Sequence, residues 1–174
     1  MEWLSWIEAG ASVATAVGVL LAGWQIRTAK QLAKTEFEDS LTQQYREIIK
    51  CIPIEAMLGG DLGEYDQKKT LDDIYRYIDL SNEQVFLRRN NRVSGATWEL
   101  WQEGIERHLK RHAFGEAWGL FKEKAPDDFR ELRYVAAQNF QTDPYRWPDN
   151  WGEDLERLER LNKIGAEREK HLLK

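Results

Sequence analysis

Apolar and polar positions follow two regimes along the chain. In residues 3–26, WLSWIEAGASVATAVGVLLAGWQI, apolar and small residues recur with no polar face, and no charge falls between Glu8 and Arg27. At about 1.5 Å of rise per residue this run spans roughly 35 Å, enough for a hydrocarbon core of about 30 Å. Trp3, Trp6 and Trp24 stand near its ends, where indoles favour the membrane–water boundary. Glutamates precede the run, and Arg27, Lys30 and Lys34 follow it. The pattern predicts a single membrane-spanning helix over 1–26, in a bacterial inner (cell) membrane, with the N-terminus outside and the C-terminus cytoplasmic. A cleaved signal peptide would need a basic leader where only acids stand. A buried soluble helix remains the rival reading, because Ala, Gly, Ser and Thr dilute the run.

After Arg27 the period becomes helical. Ala29, Ala33, Phe37, Leu41, Tyr45, Ile48 and Ile52 step by three and four among polar residues. No glycine or proline lies between Gly23 and Pro53, so the first helix is expected to continue through 27–52 as one rod that Pro53 ends. Residues 53–69 hold three glycines and read as a loop, with a short turn around residues 54–58. A helical bundle is expected over 70–174. Thr70 with Asp73 forms a capping-box pattern ahead of Leu71, Ile74, Ile78, Val85 and Phe86. That stripe passes through Ser81 and Asn82, where a leucine is expected. Ser94 caps a helix carrying Trp98, Trp101, Ile105, His108 and His112 down one face. A short aromatic helix follows, with Phe114, Ala117, Trp118 and Phe121 on one side. Pro126 with Asp127 and Asp128 opens the next helix, whose buried side is Phe129, Leu132, Ala136 and Phe140. QTDPYRWPDNW connects to a charged helix over 153–174 with Leu155, Leu158, Leu161 and Ile164 as its apolar line. No strand-like alternation occurs, and the fold class is all-α.

Composition narrows the function. Of 174 residues, 25 are Lys or Arg and 30 Asp or Glu, for a net charge of −5. The part after residue 26 sets 25 basic against 28 acidic side chains, near −3, so nucleic acid is disfavoured as a partner. Roughly 145 residues outside the anchor suffice for one hydrophobic core. Cys51 is the lone cysteine, which excludes an intramolecular disulfide and a thiolate zinc site.

Four groups of residues are candidates for function. Gly10, Ala14, Gly18 and Ala22 recur every fourth residue, a ridge that lets helix backbones approach closely in lipid and would form a helix–helix interface. Asp79, Asn82 and Glu83 form a polar cluster expected to face the Trp98/Trp101 helix; its structural alternative is a register-fixing hydrogen bond. Arg88, Arg89 and Arg92 could contact phosphate or lipid headgroups, or be salt-bridged within the fold. His108 and His112, at i and i+4, have the spacing two imidazoles need to share a metal, but they lack a third ligand and flank Lys110 and Arg111. No cofactor and no catalytic set is expected.

Residues 77–121 carry a pattern: Tyr77, Asn82, Glu83 and Gln84, then a basic turn, Trp98, Trp101, Gly104 and Ile105, and finally Phe114 and Trp118. It resembles a widespread set of small bacterial proteins of unknown function. The resemblance implies one N-terminal membrane helix and a helical cytoplasmic domain, and it transfers no catalytic residue. Together these readings predict a membrane-anchored, self-associating helical binding or regulatory module, not an enzyme. Its expected partners are membrane lipid, further copies of itself and an unknown cytoplasmic protein. Two alternatives are a membrane-acting effector of a bacterial antiviral system, by analogy of build alone, and a metal-dependent enzyme using His108 and His112.

Overall fold

A computed structural model describes the backbone of residues 2–60 and 67–172 and the side chains of residues 15–60 and 68–165. Among the described residues there are seven α-helices, one 3-10 turn and no strand, so the protein is all-α. The helices are α1 (Glu2–Ile49), α2 (Ile54–Leu58), α3 (Gln67–Arg89), α4 (Gly95–Leu109), α5 (His112–Lys124), α6 (Arg130–Ala137) and α7 (Trp151–Leu172). The 3-10 turn, Pro144–Arg146, lies between α6 and α7. The chain divides into two compact units, residues 1–40 and 41–174.

The described backbone of the first unit is helical, and no proline interrupts it. Every described side chain from residue 15 to 33 is exposed. Val17, Leu20, Leu21 and Trp24 lie along one side of α1 at helical spacing, while Val19 and Ile26 project from the other. Among the described residues no helix is long and apolar enough to cross a membrane. The side chains of Trp3, Trp6, Gly10 and Ala14 lie outside the described residues.

In the second unit α3 is central, packing against α4, α5, α6 and the 3-10 turn. A helix surrounded in this way needs more than one apolar stripe. Ile74, Tyr77, Ile78, Leu80, Val85 and Leu87 are all buried, whereas Phe86, expected inside, is 44% exposed. Ser81 is accommodated in the stripe because its hydroxyl donates to the Tyr77 carbonyl one turn back, at 2.8 Å. Trp98, Phe114, Leu132, Val135 and Leu155 bring the other helices to this core.

Helix boundaries reward and correct the sequence pattern. Ser94 caps α4 as expected, accepting from the Thr97 N–H at 3.2 Å. Thr70 and Asp73 form no cap: α3 is already helical at Gln67, and both side chains are buried within it. Nothing in QKK breaks a helix, so the pattern at Thr70 is overridden by extension. The first helix ends at Ile49, slightly before Pro53, and residues 54–58 form α2 inside the expected loop. Pro126 does not open α6. The chain turns there, and α6 begins at Arg130 after Phe129 takes a left-handed φ of 56°. An aromatic side chain in that region costs roughly 1–2 kcal/mol. Burial of the Phe129 ring beside Tyr75, Trp118 and Phe121 offsets it.

Three helices end alike. In α2, α3 and α6 a residue at positive φ (Gly59, Asn91, Asn139) lets two backbone N–H groups return to the last turn. The pairs are Gly60 to Glu55 and Gly59 to Ala56, Arg92 to Leu87 and Asn91 to Arg88, and Phe140 to Val135 and Asn139 to Ala136. This double bond is the Schellman arrangement, which satisfies orphan carbonyls and turns the chain sharply.

Candidate functional site

The sites singled out from sequence have different fates. Arg88 is buried and saturated. Its Nε donates to Asp143 Oδ1 at 2.7 Å, Nη2 to Asp143 Oδ2 at 2.5 Å, and Nη1 to the Val93 carbonyl at 2.9 Å. The guanidinium also lies 5.3 Å from the centroid of the Tyr145 ring. Bonding to Arg88 holds the Asp143 carboxyl below its ordinary value. Arg89 reaches Glu131 at 3.3 Å and lies over Trp151. These two guanidinium groups serve the fold, and Arg92 is the exposed member of the trio. Arg88 and Arg89 thus make the ion pairs of the structural reading.

Asn82 faces α6, not the Trp98/Trp101 helix. Its Oδ1 accepts from the Leu132 N–H at 3.0 Å. Leu132 is the third residue of α6, and that helix has no side-chain cap of its own because its N-cap residue is Phe129. Asn82 supplies the missing acceptor from another helix. Asp79 and Glu83 are exposed beside it.

His108 and His112 do not share a helix face. Helix α4 stops at Leu109, Lys110 and Arg111 form the corner, and His112 opens α5. Gly115 lets the corner close, since a Cβ there would stand 3.3 Å from the Leu109 carbonyl oxygen. His112 is exposed, 3.5 Å from Glu116. Among the described residues no group of three or more His, Cys, Asp or Glu could hold a metal ion.

His108 instead sits in an aromatic nest. It is 6% exposed, with the rings of Tyr77, Phe114 and Tyr45 at centroid distances of 5.0, 5.3 and 6.2 Å. Nδ1 lies 2.7 Å from the Gly104 carbonyl oxygen. A carbonyl only accepts, so Nδ1 carries the hydrogen and Nε2 keeps its lone pair. Burial pushes the His108 pKa down; the Gly104 bond opposes this, and the charges of Arg111 and Arg107 add to it. The imidazole is therefore neutral near pH 7. Its Nε2 is buried with no hydrogen-bond partner among the described residues.

This ring lines a cavity of about 200 Å³ together with Thr42, Tyr45, Tyr77, Gln84, Leu100, Trp101, Gly104 and Ile105. Three helices, α1, α3 and α4, contribute to its wall. Burial also drives the Tyr77 pKa upward, so its phenol stays protonated. A larger groove of about 970 Å³ runs between α4, α5, α6 and α7. Its charges are mostly spent on one another: Arg133 holds Glu159 at 2.7 Å, Lys110 holds Glu106 at 2.7 Å, and Lys122 lies over the Trp118 ring.

Sequence reasoning named Tyr45, Tyr77, Trp101, Gly104, Ile105 and His108 singly and missed that they converge. Five positions of the pattern quoted above, Tyr77, Gln84, Trp101, Gly104 and Ile105, line this one cavity. The available signal was Gln84, a polar residue on the buried side of α3. No protein family, curated protein or solved structure matches the chain.

Proposed function

We propose that the protein is a membrane-anchored helical binding or regulatory module that self-associates through its first helix. The observation that carries this reading is the exposed apolar surface of residues 17–26. Val17, Val19, Leu20, Leu21, Trp24 and Ile26 are 50–74% exposed and lie on opposite sides of the helix. A helix apolar on one face packs onto a bundle, whereas one apolar around its circumference requires an apolar surrounding. Leaving six such side chains in water forgoes on the order of 10 kcal/mol. Lipid supplies that surrounding, and Arg27, Lys30 and Lys34 at the following turns suit a cytoplasmic headgroup layer. Self-association draws support from the small residues of the same run: a Cβ placed at Gly18 meets nothing within 4 Å, so the site is open to a neighbouring helix.

The test combines fractionation with cross-linking. A C-terminally tagged chain should remain in the membrane pellet after carbonate extraction, and the tag should report the cytoplasmic side. Gly18→Leu with Ala22→Leu should stay in the pellet yet shorten the cross-linking ladder. Recovery in the soluble fraction would remove the anchor, and an unchanged ladder would remove the ridge as the interface.

A further inference from the structure

Gln84 lies on the buried side of α3 and is 5% exposed, yet the fold gives its amide no partner. Among the described residues neither its Oε1 nor its Nε2 makes a hydrogen bond. Nor is the amide shut in. The described side-chain atoms that are sealed from water without a partner are Asp73 Oδ2, Trp98 Nε1 and His108 Nε2. The opening that reaches the Gln84 amide is the depression of about 200 Å³ in whose wall it stands. Helix α4 returns along α3, and His108 meets Tyr77 at a centroid distance of 5.0 Å. From Tyr77 to Gln84 on α3, and from His108 back to Trp101 on α4, is about two turns each. Trp101 therefore stands at the amide's end of the depression. Among the described lining residues there is no Lys, Arg, Asp or Glu, so an ion there would find no counter-charge. Burying an amide without a partner is a net cost to the fold, and a ligand that pairs with it removes that cost.

We propose that this depression binds a small neutral aromatic carboxamide, benzamide-like, whose amide edge pairs with that of Gln84. A glutamine amide presents a carbonyl oxygen and an N–H along one edge. A primary carboxamide presents the complementary donor and acceptor, so two hydrogen bonds form. A carboxylate only accepts, and would set one of its oxygens against Gln84 Oε1. The ring of the ligand lies against Trp101 and Tyr45, in the edge and offset arrangements aromatic rings prefer. An apolar cavity of about 150 Å³ admits benzene, so about 200 Å³ takes one ring with its carboxamide. The inference goes beyond the anchored-module reading and does not depend on where residues 1–40 reside.

The experiment titrates the full chain with benzamide and, separately, with acetophenone, in which a methyl group replaces the NH₂. Protein carrying ¹⁵N-glutamine reports the side-chain amides, and Gln84→Met identifies the Gln84 signal by its loss. Benzamide should bind saturably at one site and shift that signal. Acetophenone should bind about tenfold more weakly, the ratio supplied by one buried hydrogen bond. Gln84→Met should keep the helical circular dichroism and bring the two affinities together. Absence of saturable benzamide binding, or equal affinity for the two probes in the unsubstituted chain, would overturn the proposal. So would binding that leaves the Gln84 signal in place. Should Gln84→Met fail to fold, the benzamide-to-acetophenone ratio and the amide shift in the unsubstituted chain decide it.

Discussion

His108 is packed as an aromatic residue between Tyr45, Tyr77 and Phe114, yet it retains an ionisable ring. This makes the bundle sensitive to acid. Burial is the main cause of the lowered pKa, so the folded chain takes up that proton less readily than the unfolded chain. The contribution to stability is whole above the ordinary value of 6.5 and is lost as pH falls through the lowered folded value. Melting temperature should therefore drop between about pH 7.5 and about pH 5, and His108→Phe should flatten that drop. The charged groups acting on the ring are Arg107 and Arg111, and the rings of Tyr45 and Tyr77 also face it. Asp143, whose folded pKa is also lowered, acts only below its ordinary 3.8, outside the window compared. Equal drops in the two proteins would show that another group titrates. The position of this histidine within a tryptophan stripe was readable from the three-and-four spacing. Its unspent nitrogen was not, because that depends on which groups surround Nε2 in space.

At the scale of elements, the Arg88–Asp143 pair ties α3 to the 3-10 turn that leads into α7. Asp143 also accepts from the Tyr145 N–H at 3.1 Å and caps that turn, so one carboxylate fixes both the turn's shape and its place. Removing one member of a buried pair leaves the other charge unpaired, a loss of about 3–5 kcal/mol. Asp143→Ala should lower the unfolding free energy read from a urea titration by an amount within that range. A change of a few tenths of a kcal/mol would mean that water readily reaches Arg88. Helix α6 shows the same dependence on distant residues. Its first turn is capped by Asn82 from α3, and its start is set by a left-handed Phe129. Asn82 is remote in sequence, and Phe129 is held by burial against Tyr75, Trp118 and Phe121, which is why a proline and two aspartates at 126–128 gave the wrong first residue. By contrast the Ser94 cap is made within three residues and was legible directly.

For the whole molecule, the two compact units divide the physical problem. Residues 41–174 contain the buried core, including Leu41, Ile52 and the aromatic nest, while the described side chains at 15–33 contribute nothing to it. A fragment of residues 41–174 should therefore unfold cooperatively, with helical circular dichroism and a thermal midpoint close to that of the full chain. Recovery in the soluble fraction without detergent would locate any membrane affinity in residues 1–40. A fragment that melts without cooperativity would mean the first unit is part of the core.

What the amino-acid order determined by itself is local. The all-α class, the unbroken first helix, the Ser94 cap, the aromatic face of α5 and the charge-free run at 9–26 rest on residues within a turn or two of each other, where helical period and capping act. What only the tertiary structure decided is pairing across distance. Arg88 meets Asp143 55 residues away, and Asn82 meets Leu132 50 residues away. The break at Lys110 and Arg111 sends His108 inward and His112 to the surface. The cavity belongs to this second class, for its walls come from three helices. A periodic pattern states which face of a helix is buried; it carries no information on which buried polar atoms find partners.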